Sequence, residues 1–380
     1  MSSFTLCSKS PWRPAMRREH ALVSVALGRG VGVSFVEPPT DVRQLGTTGP
    51  VPFVRALGGT VDGGVAPGLQ VVARSAPVPG HRGRAAEQVD NALLTRVLAR
   101  HTDPREPTVC TLPWQWPATS GRGRRVFDCT DDWTRRYPGS RTPRFRQLFA
   151  RIAAEADQVI VVSPDLARLF AGREVQVVPN GADADAIAAS ATPRPGGHVL
   201  AYVGTLSERF DAGLVAGVLD ARPEWRLELY GPCAYAGTGD RPAPELVGLL
   251  EGFGDRVRWH GTVRRDAVAG ALDGADVAIV PNRTELSEGQ SSMKLYDTAA
   301  RGRPVVVTPG VGCAGPTDPP GTYVADGVEA WVAALDAAAA EGDGPAAARL
   351  DWARANTWDQ RWPDWADGVF GDRPVVAAGA

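Results

Sequence analysis

The feature that most constrains the fold of this chain is a repeated alternation of short apolar runs with segments of helical periodicity. The apolar runs have the length of strands, and Gly- or Pro-bearing turns separate them from the helical segments. Such alternation predicts a mainly parallel sheet with helices on both faces. In the first half, we predict strands at 4–7, 31–36, 69–73, 108–112, 125–128 and 159–162, and helices at 15–29, 85–100, 144–157 and 164–171. The Gly-rich stretch 40–68 yields no assignment.

A second series of the same kind begins after a Pro- and Gly-bearing region at 193–197. Its strands are predicted at 198–203, 226–230, 256–260, 276–280 and 304–308. The sequence therefore predicts two doubly wound α/β domains, 1–185 and 195–356. Because such sheets bind ligands at the carboxyl ends of their strands, we expect the site in a crevice between the two domains.

Composition excludes several classes of protein. A hydrophobic content of 43% is that of a globular chain, and the net charge of −2 gives no overall attraction to nucleic acid or anionic lipid. No apolar run approaches the ~18–20 residues of a membrane span, and the N-terminus lacks the order of a signal peptide. The five cysteines form no Cys-x-x-Cys pair, which argues against a zinc site or a disulfide framework. We therefore expect a cytoplasmic protein, which could still sit loosely on a membrane.

The first candidate phosphate-binding segment is the turn after the strand at 198–203. Gly204 carries no side chain, so backbone N–H groups in this turn can approach a diphosphate closely. Arg209 would add positive charge. A plain strand-to-helix turn explains the same residues about as well. The donor-binding residues predicted from this turn and the next are Gly204, Thr205, Ser207, Gly231 and Pro232.

The second candidate segment follows the strand at 276–280. Ser291 or Ser292 can cap the next helix, whose free N–H groups favour an anion. Lys294 in the first turn opposes the helix dipole, but it becomes favourable if a phosphate binds at the same end. Of 41 basic residues only Lys9 and Lys294 are lysines, which indicates that position 294 needs a compact ammonium group. Asp297 lies on the same helix face and is predicted to hold ribose hydroxyls. Further donor contacts are predicted at Arg283, Glu288 and Leu295.

In their order along the chain, these segments resemble the retaining GT-B glycosyltransferases of the family 4 type. The resemblance is greatest to bacterial glycosyltransferases grouped with those of teichuronic-acid biosynthesis, and it covers nearly the whole chain. It rests on short pieces at 12–20, 35–39, 128–133, 156–164, 178–183, 204–211, 294–306 and 357–359.

The resemblance implies a GT-B fold of two Rossmann-like domains that face each other across a cleft. The first domain would bind the acceptor and the second the nucleotide-sugar, with UDP as the first choice of nucleotide. A last helix at 357–380, bearing three tryptophans at helical spacing, would cross back onto the first domain. The resemblance also implies retention and no metal. We expect no other cofactor and, from the net charge, no nucleic-acid partner. Trp12, Arg17 and His20 would be acceptor or cleft residues, although His20 could equally be a structural histidine.

Four residues are predicted to be catalytic: Asp131, Asp132, Arg209 and Lys294. Arg209 and Lys294 would neutralise the leaving diphosphate, and Arg283 is an alternative to Lys294 in the basic pair. The family's first-domain histidine is replaced by Asp131–Asp132. These carboxylates could orient or deprotonate an acceptor hydroxyl, hold structural hydrogen bonds, or form a metal-binding acidic pair.

One departure from the family pattern leaves other functions open. The first of the family's two glutamates falls on Gly289, with Glu288 one place earlier, while the second falls on Asp297. The chain could therefore be a catalytically inactive nucleotide-binding module. It could also be a pseudo-glycosyltransferase that couples a cyclitol, or a nucleotide-sugar epimerase of GT-B fold. For a true transferase, surface glycans, lipid-linked glycans and small natural products all fit as acceptors.

Overall fold

The computed structural model describes residues 2–12, 17–42, 49–136, 141–190, 193–235, 241–287, 290–312, 318–342 and 344–371. Two compact units make up the chain, and each has its own sheet. The first unit comprises Met1–Val178 and Arg361–Ala380, and the second comprises Pro179–Gln360. Strands and helices alternate within both units, which confirms the predicted α/β fold class.

The first unit contains an eight-stranded sheet. Its strands are β1 (Ser3–Cys7), β2 (Gly32–Val36), β3 (Thr60–Ala66), β4 (Leu69–Ala73), β5 (Thr108–Cys110), β6 (Arg125–Cys129), β7 (Gln158–Val161) and β8 (Gln176–Val177). Their order is β3-β4-β2-β1-β5-β6-β7-β8, and every pair is parallel except β3 with β4. The helices are α1 (Arg18–Gly28), α2 (Pro50–Ala56), α3 (Arg84–His101), α4 (Trp133–Arg136) and α5 (Thr142–Glu155).

The second unit contains a six-stranded parallel sheet. Its strands are β9 (Val199–Val203), β10 (Arg226–Tyr230), β11 (Val257–Trp259), β12 (Val277–Val280), β14 (Val305–Val307) and β16 (Thr322–Val324), in the order β11-β10-β9-β12-β14-β16. A separate short pair joins β13 (Gln290–Ser291) to β15 (Val311–Gly312). The helices are α6 (Ala212–Ala221), α7 (Pro244–Phe253), α8 (Arg265–Asp273), α9 (Met293–Ala300), α10 (Gly327–Ala339) and α11 (Gly344–Ala355).

The central strands are apolar on both faces, as parallel strands covered by helices must be. All four residues of β12 are buried, and the last three of β7 are buried as well. The core of the first unit gathers aromatic side chains, among them Trp116, Phe127 and Phe149, with the rings of Phe127 and Phe149 6.2 Å apart. Burial on both faces explains why the strand positions follow from the apolar runs.

The structure adds two elements in the stretch 40–68, where the sequence yields no assignment. These are α2 and the antiparallel edge strand β3, whose two glycines weaken the strand pattern. A second difference concerns 164–171, where a 3₁₀ helix, Pro164–Phe170, replaces the predicted α-helix. Leu166 and Phe170 are both buried and lie four residues apart, so their spacing imitates that of an α-helix.

The last helix, α12 (Trp358–Phe370), begins in the second unit and belongs to the first unit from Arg361 onward. Its three tryptophans, Trp358, Trp362 and Trp365, are all buried, in keeping with their helical spacing. No helix within the described ranges is long and apolar enough to cross a membrane. Cys7, Cys110, Cys129 and Cys233 are buried free thiols, and Cys313 lies outside the described residues.

Candidate functional site

Two glycines bring the carboxyl ends of β9 and β10 into close contact. Gly231 has a φ of +139°, and a Cβ at this position would lie 2.0 Å from the carbonyl oxygen of Gly204. The Gly204 N–H in turn donates to the carbonyl oxygen of Tyr230 at 2.8 Å. No side chain fits at Gly231, so glycine is needed at this position for the backbone of the two turns to lie so close together.

Lys294 lies against this turn. A Cβ at Gly204 would be 2.3 Å from Lys294 Cε, so glycine makes room for the lysine stem. The Lys294 ammonium is 5.4 Å from the centroid of the Tyr202 ring. Burial raises the pKa of Tyr202, which therefore stays a neutral phenol and donates to the carbonyl oxygen of Thr205 at 2.9 Å. A cation, a glycine turn and the first turn of α9 thus meet at the carboxyl edge of the second sheet.

The beginning of α9 differs from the prediction. Ser292 is the N-cap residue, but its side chain makes no capping hydrogen bond. Its N–H instead donates to the carbonyl oxygen of Gly312 at 2.7 Å. Neighbouring Ser291 is tied to Asn180, whose Nδ2 donates to the Ser291 carbonyl oxygen at 2.7 Å. Leu295, which was predicted to contact the donor, is buried in the core.

Asp297 lies in an ion pair that the sequence did not indicate. Its Oδ1 accepts a hydrogen bond from Arg265 Nη2 at 2.7 Å, and Arg265 also pairs with Asp183 at 3.6 Å. Burial lowers the pKa of Arg265, but the two carboxylates outweigh burial and leave that pKa above its ordinary value. The structure therefore gives Asp297 a protein partner where a contact to ribose was predicted.

Arg209 and Arg283 lie on adjacent loops. A backbone hydrogen bond joins them, in which the Arg283 N–H donates to the Arg209 carbonyl oxygen at 2.7 Å. The Arg283 guanidinium pairs with Glu245 at 2.6 Å, beside a pocket of about 420 Å³ that Asp211 also lines. Arg209 is close enough to Tyr202 to oppose the rise of that residue's pKa.

Ser207 and Pro232 contribute backbone contacts to the same two turns. The Ser207 carbonyl oxygen accepts from Phe210, and that of Pro232 accepts from Leu206, each at 2.9 Å. Both residues therefore help to shape the loop that carries Arg209. Glu288 and Gly289, the residues that depart from the family pattern, lie outside the described residues.

In the first unit, Asp131 follows β6 and pairs with Lys9, which follows β1. Lys9 Nζ lies 2.8 Å from Asp131 Oδ2 and also donates to the hydroxyl of Thr130. The two side chains are 18% and 14% exposed, so the pair can be reached at the carboxyl edge of the sheet. Lys9 was not among the predicted site residues, although its place after the first strand and the rarity of lysine in this chain could have indicated it.

Asp132 has a structural environment. Its Oδ1 accepts from the backbone N–H and the hydroxyl of Thr134, at 2.9 Å and 2.5 Å. Its Oδ2 pairs with Arg168 at 2.6 Å and with Arg135 at 3.6 Å. The adjacent aspartates thus differ: Asp132 fixes the start of α4, while Asp131 pairs with Lys9. Among the residues that the structure describes, no three His, Cys, Asp or Glu side chains are grouped to hold a metal ion.

His20 is a buried structural histidine. Its Nδ1 accepts from the Arg17 N–H at 3.0 Å, and its Nε2 donates to the carbonyl oxygen of Pro11 at 2.8 Å. Burial lowers the pKa of His20 and favours this neutral form. Of the two interpretations of His20, the structure therefore supports the structural one, in which the ring holds the loop that carries Trp12.

Trp12 is partly exposed and packs on Phe35, with ring centroids 5.1 Å apart. Arg17 is exposed.

Comparison with known proteins finds a family model that matches part of the chain. Residues 197–341, most of the second unit, match the family model described as glycosyl transferases group 1. A search of curated proteins finds no match for the chain.

Several solved structures are similar over nearly the whole chain. Sucrose-phosphate synthase from Thermosynechococcus elongatus has a TM-score of 0.75 at 15% identity, covering 97% of this chain and 98% of its own. An E. coli trehalose-6-phosphate structure bound with UDP-2-fluoro glucose has a TM-score of 0.70 at 12% identity, covering 97% and 99%. Anabaena HepE in complex with UDP and glucose has a TM-score of 0.67 at 14% identity, covering 97% and 98%.

These likenesses establish the GT-B glycosyltransferase fold for this chain. Within the second unit, the residues that match the group 1 glycosyl transferase model include both Gly204 and Lys294.

Proposed function

We propose that this chain is a family 4 type glycosyltransferase that moves a sugar from a nucleotide diphosphate, with UDP as first choice, onto an acceptor hydroxyl. Transfer would retain the anomeric configuration and would serve surface-glycan or natural-product synthesis in the cytoplasm. The observation that carries the proposal is the position of Lys294. This residue lies in the first turn of α9, and its aliphatic stem packs against Gly204. Two similar structures hold UDP or a UDP-sugar, which supports UDP as the first nucleotide to test.

The proposed chemistry rests on neutralising the charge of the leaving group. The bond between the anomeric carbon and a diphosphate oxygen breaks, and negative charge grows on that oxygen. Lys294, Arg209 and the first-turn N–H groups of α9 would stabilise this charge, and preorganised groups of this kind make a large contribution to catalysis. Lysine is favoured at position 294 because a compact ammonium fits beside Gly204, where a planar guanidinium would need more room.

We assign the donor to the second unit and the acceptor to the first. In the first unit, Asp131 would orient the acceptor hydroxyl and accept its proton as the hydroxyl oxygen bonds to the anomeric carbon. Lys9 would fix the Asp131 carboxylate through their 2.8 Å contact. The proposal assigns no metal ion to the reaction, so turnover should persist in EDTA.

The proposal is tested by the release of nucleoside diphosphate from UDP-, GDP-, ADP- and dTDP-sugars in the presence of a panel of acceptors. Lys294→Ala should lower turnover on the best donor by on the order of 10²–10³, as when one preorganised donor is lost. Arg264→Ala is the matched control, because this charged side chain is 87% exposed and pairs only with nearby Asp266 among the described contacts.

Each rival function predicts a different outcome. An epimerase would convert the donor without acceptor, and a pseudo-glycosyltransferase would give a cyclitol product. An inactive module would bind a nucleotide without releasing diphosphate from any donor. An inverted product would remove the claim of retention, and unchanged turnover in Lys294→Ala would remove Lys294 from the site.

A further inference from the structure

The first unit has a pocket of about 490 Å³ at the carboxyl edge of its sheet, which we call the Trp12 pocket. Trp12 follows β1, Glu37 follows β2, and Ala73 ends β4, so three parallel strands point their carboxyl ends at it. The edge strand β3 forms another wall with Thr60 and Asp62. The volume and the position are those of a small-molecule site in a sheet of this kind.

The aromatic wall of the Trp12 pocket is held in place from behind. The Trp12 ring meets Phe35 at a centroid distance of 5.1 Å and the His20 ring at 5.4 Å. His20 also holds the loop around Trp12 through the carbonyl oxygen of Pro11. A fixed indole that is partly exposed offers a flat apolar surface on which the C–H face of a sugar ring can pack.

The acidic wall is built with similar support. Glu37 Oε1 accepts from the Trp12 N–H at 2.8 Å, and the Glu37 carbonyl oxygen accepts from Arg74 Nε at 3.1 Å. Arg74 is fully buried and paired with Asp90 at 2.5 Å, so it anchors the backbone of Glu37 rigidly. A carboxylate offers about four acceptor positions, which leaves Glu37 capacity for a ligand's hydroxyl or ammonium donors. Asp62 adds a second carboxylate, fixed by the Gly64 N–H at 3.1 Å.

We propose that the Trp12 pocket binds the acceptor, and that this acceptor is an uncharged or amine-bearing sugar or polyol rather than a sugar phosphate. Two carboxylates repel a phosphate and accept hydrogen bonds from hydroxyl or ammonium groups. Among its described lining residues, the pocket has two acidic side chains, one hydroxyl, one aromatic ring and several apolar side chains, and no cation. The inference rests on the proposed function, because only a transferase needs an acceptor.

The test measures binding to the full chain by saturation-transfer NMR. The probes are methyl α-glucoside, myo-inositol, glucosamine and glucose 6-phosphate, each with and without UDP. At least one neutral or amine-bearing probe should bind, with glucose 6-phosphate weaker than its neutral counterpart by about tenfold or more. Trp12→Ala and Glu37→Gln should each weaken that binding by about tenfold, while Glu174→Gln, an exposed residue of the same unit, should not.

A second variant, in which the charge of Asp62 is reversed, tests the inference without disturbing the folded core. Asp62 is exposed on an edge strand, so Asp62→Lys should fold and should shift preference toward glucose 6-phosphate. Equal or tighter binding of glucose 6-phosphate by the unaltered chain would overturn the inference, as would failure of every neutral and amine-bearing probe. Stabilisation of the chain by UDP reports the donor site separately. If the unaltered chain binds UDP but none of the neutral or amine-bearing probes, the result counts against the acceptor inference alone. If it binds neither UDP nor any probe, the result counts against the proposed function.

Discussion

Lys9 and Lys294 are the two lysines of the chain, and each lies at the carboxyl edge of one of its two sheets. Lys294 fits against Gly204, where a Cβ would come within 2.3 Å of its Cε. Lys9 fits between Asp131 and Thr130. In a chain that uses arginine almost everywhere else, both positions favour a compact point charge over a planar fork.

At the residue scale, His20 makes stability depend on pH. Burial holds its folded-state pKa below the ordinary 6.5, so the unfolded chain binds a proton more readily. The free energy of unfolding should therefore fall as pH drops through 6.5 toward the folded-state pKa, and this contribution is fully present above pH 6.5. His20→Phe, which can pack between Trp12 and Phe35, should flatten this part of the profile in urea unfolding at about pH 8, 6.5 and 5. An unchanged slope would contradict the buried neutral state of His20.

Sequence reasoning at this scale succeeded where a residue's partner was close in sequence or was a backbone turn. The position of Lys294 in the first turn of a helix follows from Ser292, which can cap a helix, and from the polar loop that follows the strand Val277–Val280. The ion pair of Asp297 could not be predicted, because Arg265 lies 32 residues away on α8. The predicted side-chain cap of Ser292 is absent for a similar reason. The Ser292 N–H is bonded to Gly312, which the β13–β15 pair brings close from 20 residues away.

At the element scale, α12 is fixed to the first unit by a buried polar contact. Trp365 Nε1 donates to Asp128 Oδ2 at 3.1 Å, and Arg18 Nε meets the same oxygen at 3.0 Å. The Trp365 ring also packs edge-on to Phe4 at 5.4 Å. A contact between residues 237 positions apart cannot be inferred from periodicity, which indicated only that the tryptophans share a face.

Trp365→Phe should therefore destabilise the chain by about 1.5–3 kcal/mol, because a buried carboxylate loses a hydrogen-bond donor. Trp362→Phe is the matched control, since Trp362 is 4% exposed and the described residues show no such bond from it to a carboxylate. Denaturant unfolding of both variants measures the difference. Equal losses would show that shape alone, rather than the hydrogen bond to Asp128, holds the helix.

Whether a strand was predicted depended on how clear its apolar pattern is in the sequence. The strands at the centre of each sheet are largely buried, and they were predicted within one or two residues of the observed ends. The edge strand β3 was not predicted, because Gly63 and Gly64 interrupt it and its register with β4 shifts between Asp62 and Ala66. Asp62 of the Trp12 pocket lies on this strand, so half of the acidic wall was hidden from sequence reasoning.

At the scale of the whole molecule, the two βα series of the sequence correspond to two separate sheets, of which the first is parallel except at its β3–β4 edge. The pattern was sufficient for the α/β class, because buried parallel strands must be apolar and must alternate with helices. The contacts of the site residues were harder to predict from the sequence, because they depend on which loops meet at the edges of the sheets. Residues 197–341 match a glycosyl transferase model, while the first unit carries the Trp12 pocket and the Lys9–Asp131 pair.

The central claim is that the second unit binds a nucleoside diphosphate through Lys294. The direct measurement is the unfolding of the full chain in the presence of UDP, GDP, ADP or dTDP, for the unaltered protein, Lys294→Ala and Arg264→Ala. A nucleotide at 100 times its dissociation constant should raise the free energy of unfolding by about 2.7 kcal/mol in the unaltered protein and in Arg264→Ala. Lys294→Ala should lose most of that gain. Absence of stabilisation by all four nucleotides, or equal stabilisation of Lys294→Ala, would contradict the account.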